Sequence, residues 1–492
     1  MAEREKLLAK AAMVANVILA GAGVVCVLVL SYFVYHYGWT GRRQFSSWVG
    51  PLLYYVFPAA LAASLFASLR LRPARKINLA LLMCSAGASV YFLEILLTLW
   101  FSLPSVMEGL NRKMMAEAAG AVGADFDTRS KHEVILDLVG QGVDAIPSFP
   151  RPLLQGEDDG SVRSLINIDG VEVLPLAGMA NKLVVVCNEG GQYLTYRSDA
   201  HGFNNPQYLW DSAPVDIVAV GDSFVQGWCV PPDDNFVAVI RKRYPATLNL
   251  GVEGNGPLVM LATIKEYAEI VKPKVVLWFY FEGNDIMDLR RESKSPLLRR
   301  YLEEGFSQGL FARQAEIDRV LDEYIKTARD KNRLLARLEE MGEILDQLPA
   351  KTKGILVLSQ LRQQLGLIQG TAIQQPRGVT SGAVSKYQAE IELLGKILSR
   401  AKETVSRWGG TLYFVYLPVY HRYVPGHGGD LDRDQVLRVV RNAGLPIIDI
   451  HQTFVAQGDP LALFPWRLPS HYNEKGHQLV ADEVLRSISV NE

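Results

Sequence analysis

Net charge and cysteine are both scarce in this chain of 492 residues. The 51 lysines and arginines are nearly matched by 52 aspartates and glutamates, which leaves a formal net charge of −1, and only four cysteines are present. Proteins that bind nucleic acids usually have an excess of positive charge, so we predict no nucleic-acid partner. His201, His421 and His451 are not spaced as metal ligands, and we predict neither a metal site nor a cofactor.

Charged residues are also missing from long stretches near the N-terminus. No charged side chain lies between Lys10 and Arg42, and two further apolar runs follow. A helix needs about 20 mostly apolar residues to cross a bilayer. We therefore predict three transmembrane helices within residues 1–105, at about residues 11–35, 50–69 and 77–103. A cleaved signal peptide is the alternative for the first run, but its apolar core is too long for one.

Lysine and arginine are distributed unequally among the short segments that flank these runs. The first connection has only Arg42 and Arg43, whereas the N-terminus and the second connection contain Arg4, Lys6, Lys10, Arg70, Arg72, Arg75 and Lys76. Positive residues remain on the cytoplasmic side. This predicts a cytoplasmic N-terminus and an extracytoplasmic location for everything after about residue 105, which is the periplasm if the cell is Gram-negative. Glu94 lies within the third run, and its role is left open.

The four cysteines divide between these two regions. Cys26 and Cys84 lie in the apolar runs, whereas Cys187 and Cys229 lie in the part predicted to be exported. Two cysteines in an oxidising compartment commonly pair. We therefore predict a disulfide between Cys187 and Cys229, with two buried free thiols as the alternative.

From residue 213 onward, apolar runs alternate with helical patterns. The strand candidates are residues 215–220, 247–252, 274–282, 411–417 and 445–450. The helical patterns lie at residues 233–244, 257–271, 384–407 and 432–442, and after Asn473. This alternation predicts an α/β domain over residues 213–492, with a parallel sheet and helices on both faces.

Two segments do not follow the alternation. Residues 106–212 combine a helical stalk with short apolar runs between Pro- and Gly-rich turns, which predicts a β-rich extension. Residues from about 290 to 382 are strongly charged, with apolar residues at three- and four-residue steps. We interpret this block as a helical insertion into the α/β domain. It would form either a lid or partner surface over the carboxyl ends of the strands, or a solvated decoration.

The first strand of the α/β domain leads directly into a Gly-Asp-Ser turn. Ser223 follows Gly221 at the end of this strand, where open α/β sheets bind their ligands. Later segments at the same edge contain Gly254, Asn284 and His471. A histidine can accept the proton of a serine hydroxyl, and amide groups can stabilise an oxyanion. An ordinary strand and turn is the alternative for the serine segment taken alone.

The order of these segments resembles the SGNH, or GDSL-type, hydrolase superfamily of esterases and acyl-transfer enzymes. The matching blocks, over roughly residues 214–286 and 410–490, are Gly221-Asp222-Ser223, Gly254, Gly283-Asn284-Asp285 and His471. The resemblance implies an α/β/α fold in which Ser223 is the nucleophile and His471 is the general base. It also implies an oxyanion hole formed by the Ser223 amide, the Gly254 amide and the Asn284 side chain.

The third catalytic residue of this superfamily is missing from its usual place. Members usually have an aspartate two or three residues before the histidine, whereas this chain has Leu468 and Pro469 there. The open alternatives are a Ser–His pair oriented by a backbone carbonyl and an acid from elsewhere, with Asp459 and Asp449 nearest in sequence. His477 is a weaker candidate for the base because it falls inside the last helix.

These features together predict a membrane-anchored, extracytoplasmic serine esterase that cleaves an oxygen ester through an acyl-Ser223 intermediate. The resemblance leaves open O-acetyl transfer to sugars of the cell envelope or of an exopolysaccharide, since membrane-anchored members often serve that purpose. The expected partners are an ester-bearing substrate, of which an acylated carbohydrate is one form, the lipid bilayer and, for transfer, a membrane partner protein. A non-catalytic envelope scaffold that keeps the fold is a third interpretation.

Overall fold

The computed structural model describes residues 2–35, 51–101, 104–148, 153–157, 159–211, 214–330, 354–356, 358–364, 387–424 and 433–488. They belong to two compact units, Met1–Pro104 with Leu338–Thr371 and Ser105–Arg337 with Ala372–Glu492. Much of the predicted helical insertion, residues 331–353 and 365–386, lies outside the described residues.

The first unit contains the apolar helices near the N-terminus. Helices Ala2–Phe33 and Pro73–Trp100 are long and apolar enough to cross a membrane. Between them lies a shorter apolar helix, Phe57–Ser68, preceded by a π-helical turn at Leu52–Val56. Two of the three predicted membrane helices therefore have the required length, and the three-helix membrane segment stays a prediction.

Glu94, whose role the sequence leaves open, is fully buried within this first unit. Its carboxylate accepts hydrogen bonds from the backbone N–H groups of Gln360 at 2.9 Å and Leu361 at 2.7 Å. These groups belong to the first turn of the short helix Ser359–Gln364, where backbone donors have no intrahelical partner. A segment of the predicted insertion is thus held against helix Pro73–Trp100.

The second unit begins with two helices and several short strands. The first helix is Pro104–Ala121, which belongs to this unit from Ser105 onward, and the second is Lys131–Gly140. The strands are β1 Ala145–Pro147, β2 Leu154–Gly156, β3 Val162–Ser164, β4 Asn167–Ile168, β5 Val171–Glu172, β6 Leu183–Val185 and β7 Thr195–Arg197. Strand β6 pairs in parallel with β1 and antiparallel with β7, and the other four strands form two hairpins. This region corresponds to the predicted stalk and β-rich extension.

A five-stranded parallel sheet forms the centre of the second unit. Its strands are β8 Ile217–Val220, β9 Thr247–Asn249, β10 Val275–Phe281, β11 Thr411–Leu417 and β12 Ile447–Asp449. Their spatial order is β12-β11-β10-β8-β9, and every neighbouring pair is parallel. The prediction of an α/β fold with a parallel sheet is confirmed, and each strand lies inside a predicted strand range.

Helices cover both faces of this sheet, because alternate side chains of the buried strands point to opposite sides. On one face, Trp278 and Phe414 pack with the helices that begin at Pro257 and at Gln388. On the other face, Phe279 packs with helices Phe236–Arg243 and Glu474–Ser487. The remaining helices are Ser223–Gln226, Glu269–Val271, Asp285–Glu292, Pro296–Arg299, Gln314–Asp330, Arg433–Asn442 and Ile450–Val455.

Candidate active site

The candidate site lies where the strand order of the central sheet reverses. Strand β8 has β9 on one side and β10 on the other. After β8 the chain first adds β9 on one side of the sheet and then crosses over to add β10 on the opposite side. A crevice forms at such a point, outside the carboxyl ends of the strands. The segments that follow these three strands contain Ser223, Gly254 and Asn284. The three predicted residues therefore lie at one edge of the sheet.

Ser223 is placed by a tight turn between β8 and the short helix Ser223–Gln226. The Asp222 carboxylate caps this helix by accepting the Phe224 N–H at 3.0 Å. Glycine is needed at position 221, because a Cβ there would lie 2.4 Å from the Val225 side chain. The Ser223 hydroxyl oxygen lies 2.9 Å from Nε2 of His471. The structure thus brings together the predicted nucleophile and the predicted base.

Glu189 completes this arrangement. Nδ1 of His471 lies 3.0 Å from Oε1 of Glu189, and the backbone N–H of His471 donates to Oε2 of the same carboxylate at 2.8 Å. Both oxygens are engaged, so the carboxylate fixes the imidazole ring and the backbone that supports it. A carboxylate in this position holds the tautomer in which Nε2 is free to accept the serine proton.

The two acids nearest to the histidine in sequence serve other purposes. Asp459 forms an ion pair with Arg467 at 2.6 Å. Asp449 is ion-paired with Arg433, and it caps helix Ile450–Val455 through the His451 N–H. Neither is the partner of His471, and the suggestion that a backbone carbonyl orients the ring is also wrong, since Nδ1 faces Glu189.

Glu189 lies in the β6–β7 connection, and several contacts fix this loop. Cys187 is joined to Cys229 by a disulfide with Cα atoms 5.4 Å apart. The indole N–H of Trp466 donates to the backbone carbonyl of Glu189, and the Asn188 amide donates to the backbone of Asp127 at 2.8 Å. The disulfide therefore links the acid-bearing loop to the segment that follows Ser223. That predicted cysteine pair was the only sequence signal that connected this loop with Ser223.

The surroundings of His471 act on its basicity in opposite directions. Burial by itself would lower the pKa of His471, but the charge of Glu189 and its hydrogen bond outweigh burial and raise the pKa above the usual value. The ring of Phe224 lies 4.7 Å from the imidazole and that of Trp228 lies 5.5 Å away, measured between centroids. An imidazole made more basic in this way is better able to take a proton from a hydroxyl.

The two predicted oxyanion-hole residues outside the serine turn lie in constrained positions. Gly254 has a φ of +73°, which favours glycine. The Glu292 carboxylate holds the same turn by accepting the N–H groups of Gly256 at 2.6 Å and Leu258 at 2.9 Å. Asn284 precedes helix Asp285–Glu292, and its buried amide oxygen has no hydrogen-bond partner among the described residues. The oxygen is an acceptor, so the group of Asn284 that can bind an oxyanion is its N–H₂, which is hydrogen-bonded to the Asp222 carboxylate.

The turns that contain Ser223 and Asn284 are next to buried carboxyl groups. Burial raises the pKa of Asp222, and burial together with the charges of Asp222 and Asp288 raises that of Asp285 well above the usual range. Burial and the charge of Asp288 raise the pKa of Glu292 to about 8. Close carboxylates in a buried region cannot all ionise. Protonation of some of these carboxyl groups therefore reduces the negative charge near Ser223. A lower negative charge there would repel an oxyanion on the substrate less strongly.

His477 is not part of this arrangement. It is fully buried and stacks on Phe236, whose backbone N–H donates to its Nδ1 at 3.2 Å. Burial and the neighbouring His471 lower its pKa to about 3.

Donor atoms of Glu189, Cys229 and His471 lie within 4.8 Å of one another, as in some metal sites, but the Cys229 sulfur is bonded to Cys187.

Comparison with known proteins gives no matching family model and no matching curated protein. Among solved structures, the chain is similar to an alpha/beta hydrolase enzyme from the metagenome of Lake Arreo, Spain, with 15% identity over 56% of this chain and 95% of that chain, and a TM-score of 0.30. An acetyl xylan esterase matches with 10% identity over 56% and 100% of the two chains and a TM-score of 0.29. A catalytic mutant of an acetylxylan esterase from Geobacillus stearothermophilus matches with 12% identity over 57% and 96%, also with a TM-score of 0.29.

Proposed function

We propose that this protein is a membrane-anchored serine hydrolase of SGNH type that cleaves an oxygen ester through an acyl-Ser223 intermediate. The observation that supports this most directly is the continuous chain of contacts from Ser223 to His471 to Glu189. A non-catalytic scaffold has no need to keep a buried imidazole between a hydroxyl and a carboxylate. The same contacts also suit acyl transfer, in which a sugar hydroxyl replaces water in the second step.

The proposed reaction starts with proton transfer from the Ser223 hydroxyl to Nε2 of His471 as the serine oxygen attacks the ester carbonyl. Glu189 keeps the other ring nitrogen protonated and stabilises the imidazolium that forms. The oxyanion would be bound by the Ser223 and Gly254 amides and by the Asn284 side chain. His471 then returns its proton to the departing alkoxide, and the acyl group remains on Ser223. Water, activated by His471 in the same way, releases the acid and regenerates the serine.

Labelling with a serine-reactive phosphonate tests this proposal directly. The purified full chain should react with one phosphonate per molecule, and peptide mapping should place the modification on Ser223, because its hydroxyl is the one next to a basic imidazole. Labelling at another serine, or no labelling of a folded sample, would contradict the proposal.

Replacing Asn284 by alanine tests the oxyanion hole. We expect kcat on a model aryl ester to fall by about 10²–10³, the usual cost of losing one oxyanion donor. Asn442→Ala is a matched control, because Asn442 is exposed at the end of helix Arg433–Asn442, and it should leave kcat unchanged. If Asn284→Ala raises KM without lowering kcat, then Asn284 binds the substrate in its ground state and does not stabilise the transition state.

We also propose that the N-terminus is cytoplasmic and that the second unit is extracytoplasmic, on the basis of the lysine and arginine distribution. A reporter that is active only outside the cytoplasm should be active when it is fused after Glu492. The same reporter should be silent when it is fused at Ala74, because this position lies in the positively charged segment from Arg70 to Lys76, at the start of helix Pro73–Trp100. The reverse pattern would overturn this topology.

A further inference from the structure

A cavity of about 750 Å³ in the second unit adjoins the acid side of the candidate site. Glu189, Trp228 and Pro469 are part of its wall. Other parts of the wall come from the helices Pro104–Ala121, Lys131–Gly140 and Gln314–Asp330, through Arg112, Met115, Lys131, Ile135, Tyr324 and Ile325. This volume is typical of ligand pockets and is larger than a short acyl group requires. The space is therefore suited to the larger, alcohol part of an ester or to an acyl acceptor.

The wall contains two carboxylates, Glu108 and Glu189, and two cations, Arg112 and Lys131, but only one of the cations is in an ion pair among the described residues. Arg112 is paired with Glu108 at 2.6 Å, and Glu189 is engaged by His471. Lys131 is different, because among the described residues no carboxylate lies within 4.0 Å of its ammonium group. His132 in the same wall adds no negative charge. The ammonium group of Lys131 therefore has no salt bridge among the described residues.

Lys131 is held next to an aromatic surface that leads to the candidate site. Its ammonium nitrogen lies 4.6 Å from the centroid of the Trp228 ring, and the Trp228 ring in turn lies 5.5 Å from that of His471. Tyr193 and Tyr324 add two further rings to the wall. Flat aromatic faces combined with polar groups suit ligands that have both C–H faces and hydroxyls, as sugars do. A cation over an aromatic ring is also positioned to meet an anionic group.

We propose that this cavity binds an acidic carbohydrate, with its carboxylate or phosphate at Lys131 and a sugar ring against Trp228. This inference rests on the proposed function, because it identifies the bound carbohydrate as the alcohol part of the ester or as the acyl acceptor.

Binding of an oligogalacturonate without acyl groups tests the proposal independently of turnover. We expect calorimetry on the detergent-purified full chain to show binding that is weakened about tenfold by Lys131→Met, which removes the charge but keeps an unbranched chain. The binding should also weaken as salt is added, because salt screens the attraction between the partly exposed Lys131 ammonium and the ligand carboxylate. A neutral cello-oligosaccharide of the same length should bind at least several-fold more weakly. Glucose 6-phosphate in place of the oligogalacturonate shows whether a phosphate is preferred to a carboxylate.

Two variants serve as controls. Lys131→Arg keeps the positive charge and should retain affinity within about threefold. Lys113→Met removes a similar charge from the exposed side of helix Pro104–Ala121, where Lys113 is paired with Glu117 at 3.9 Å, and should not change binding. Equal affinities for the acidic and neutral oligosaccharides, or an unchanged affinity in Lys131→Met, would overturn the proposal. Failure of the phosphonate to label Ser223 would count against the esterase function and leave the binding result standing.

Discussion

Ser223→Ala is expected to lower kcat for a model ester such as p-nitrophenyl acetate by about 10⁶, the usual effect of removing a serine nucleophile that acts as a unit with its histidine. The hydroxyl of Ser223 forms a hydrogen bond with His471, and its loss removes both the attacking atom and the proton that the base accepts. The side chain is small and buried in a turn fixed by its neighbours, so the variant should fold normally.

Thermal unfolding separates the chemical effect from a structural one. The Tm of Ser223→Ala should stay close to that of the unchanged protein. Ser293→Ala is a matched control, because its exposed hydroxyl only extends a helix end by donating to the carbonyl of Arg290, and its kcat should be unaltered. Retention of most of the activity in Ser223→Ala would show that another group is the nucleophile.

Glu189→Gln is expected to have the second largest effect, a decrease in kcat of about 10³–10⁴. Glutamine has the same shape, but its amide cannot stabilise the imidazolium, and it can present an N–H₂ group to Nδ1 and so favour the wrong tautomer. Asp459→Asn is the matched control, because Asp459 is near in sequence but pairs with Arg467 on the surface. A loss in Asp459→Asn as large as that in Glu189→Gln would contradict the assignment.

The pH dependence of kcat/KM provides an independent test of the contact between Glu189 and His471. His471 must be neutral to act as a base, so kcat/KM should rise with pH through the pKa of His471 in the free enzyme. Glu189 raises this pKa above the usual value, so the rise should lie above about pH 6.5. In Glu189→Gln the raising charge is lost while burial remains, and the rise should move to lower pH. An unchanged profile would mean that Glu189 does not act on the titrating group.

Local patterns were sufficient to predict the sheet and to select Ser223 and His471, which the structure places next to each other. Buried parallel strands are continuous apolar runs, and for that reason β8 and β10 could be located from the sequence. Ser223 and His471 lie next to a strand end and a helix start, which leave a recognisable turn sequence.

Glu189 could not be predicted in this way. It lies 34 residues before Ser223 in the chain, between two strands of a different sheet. The Asn188-Glu189-Gly190-Gly191 segment indicates a turn, but a turn sequence does not show that its acid faces a histidine. The proximity of Glu189 to His471 depends on how the β6–β7 connection meets the central sheet. The predicted pairing of Cys187 with Cys229 indicated that these regions meet, but a disulfide does not identify which nearby side chain faces the histidine.

The helical insertion shows a second limit of sequence patterns. Its three- and four-residue spacing predicted helices, and helix Gln314–Asp330 is one of them. The pattern could not show that Tyr324 and Ile325 face a cavity beside the candidate site, or that Gln360 meets the carboxylate of Glu94. Those contacts join residues more than a hundred positions apart, and amphipathic periodicity contains no information on the partner of an apolar face.

The position of Glu189 determines how this protein can be shortened. A protein that starts at residue 213, where the alternation of strands and helices begins, would keep Ser223 and His471 but lose Glu189, and it would leave Cys229 without Cys187. The smallest fragment that keeps Ser223, His471 and Glu189 together must therefore begin upstream of β6, so the sheet β1-β6-β7 belongs with the candidate active site. Transplanting only the α/β part into another protein would transfer Ser223 and His471 without the carboxylate that orients the imidazole.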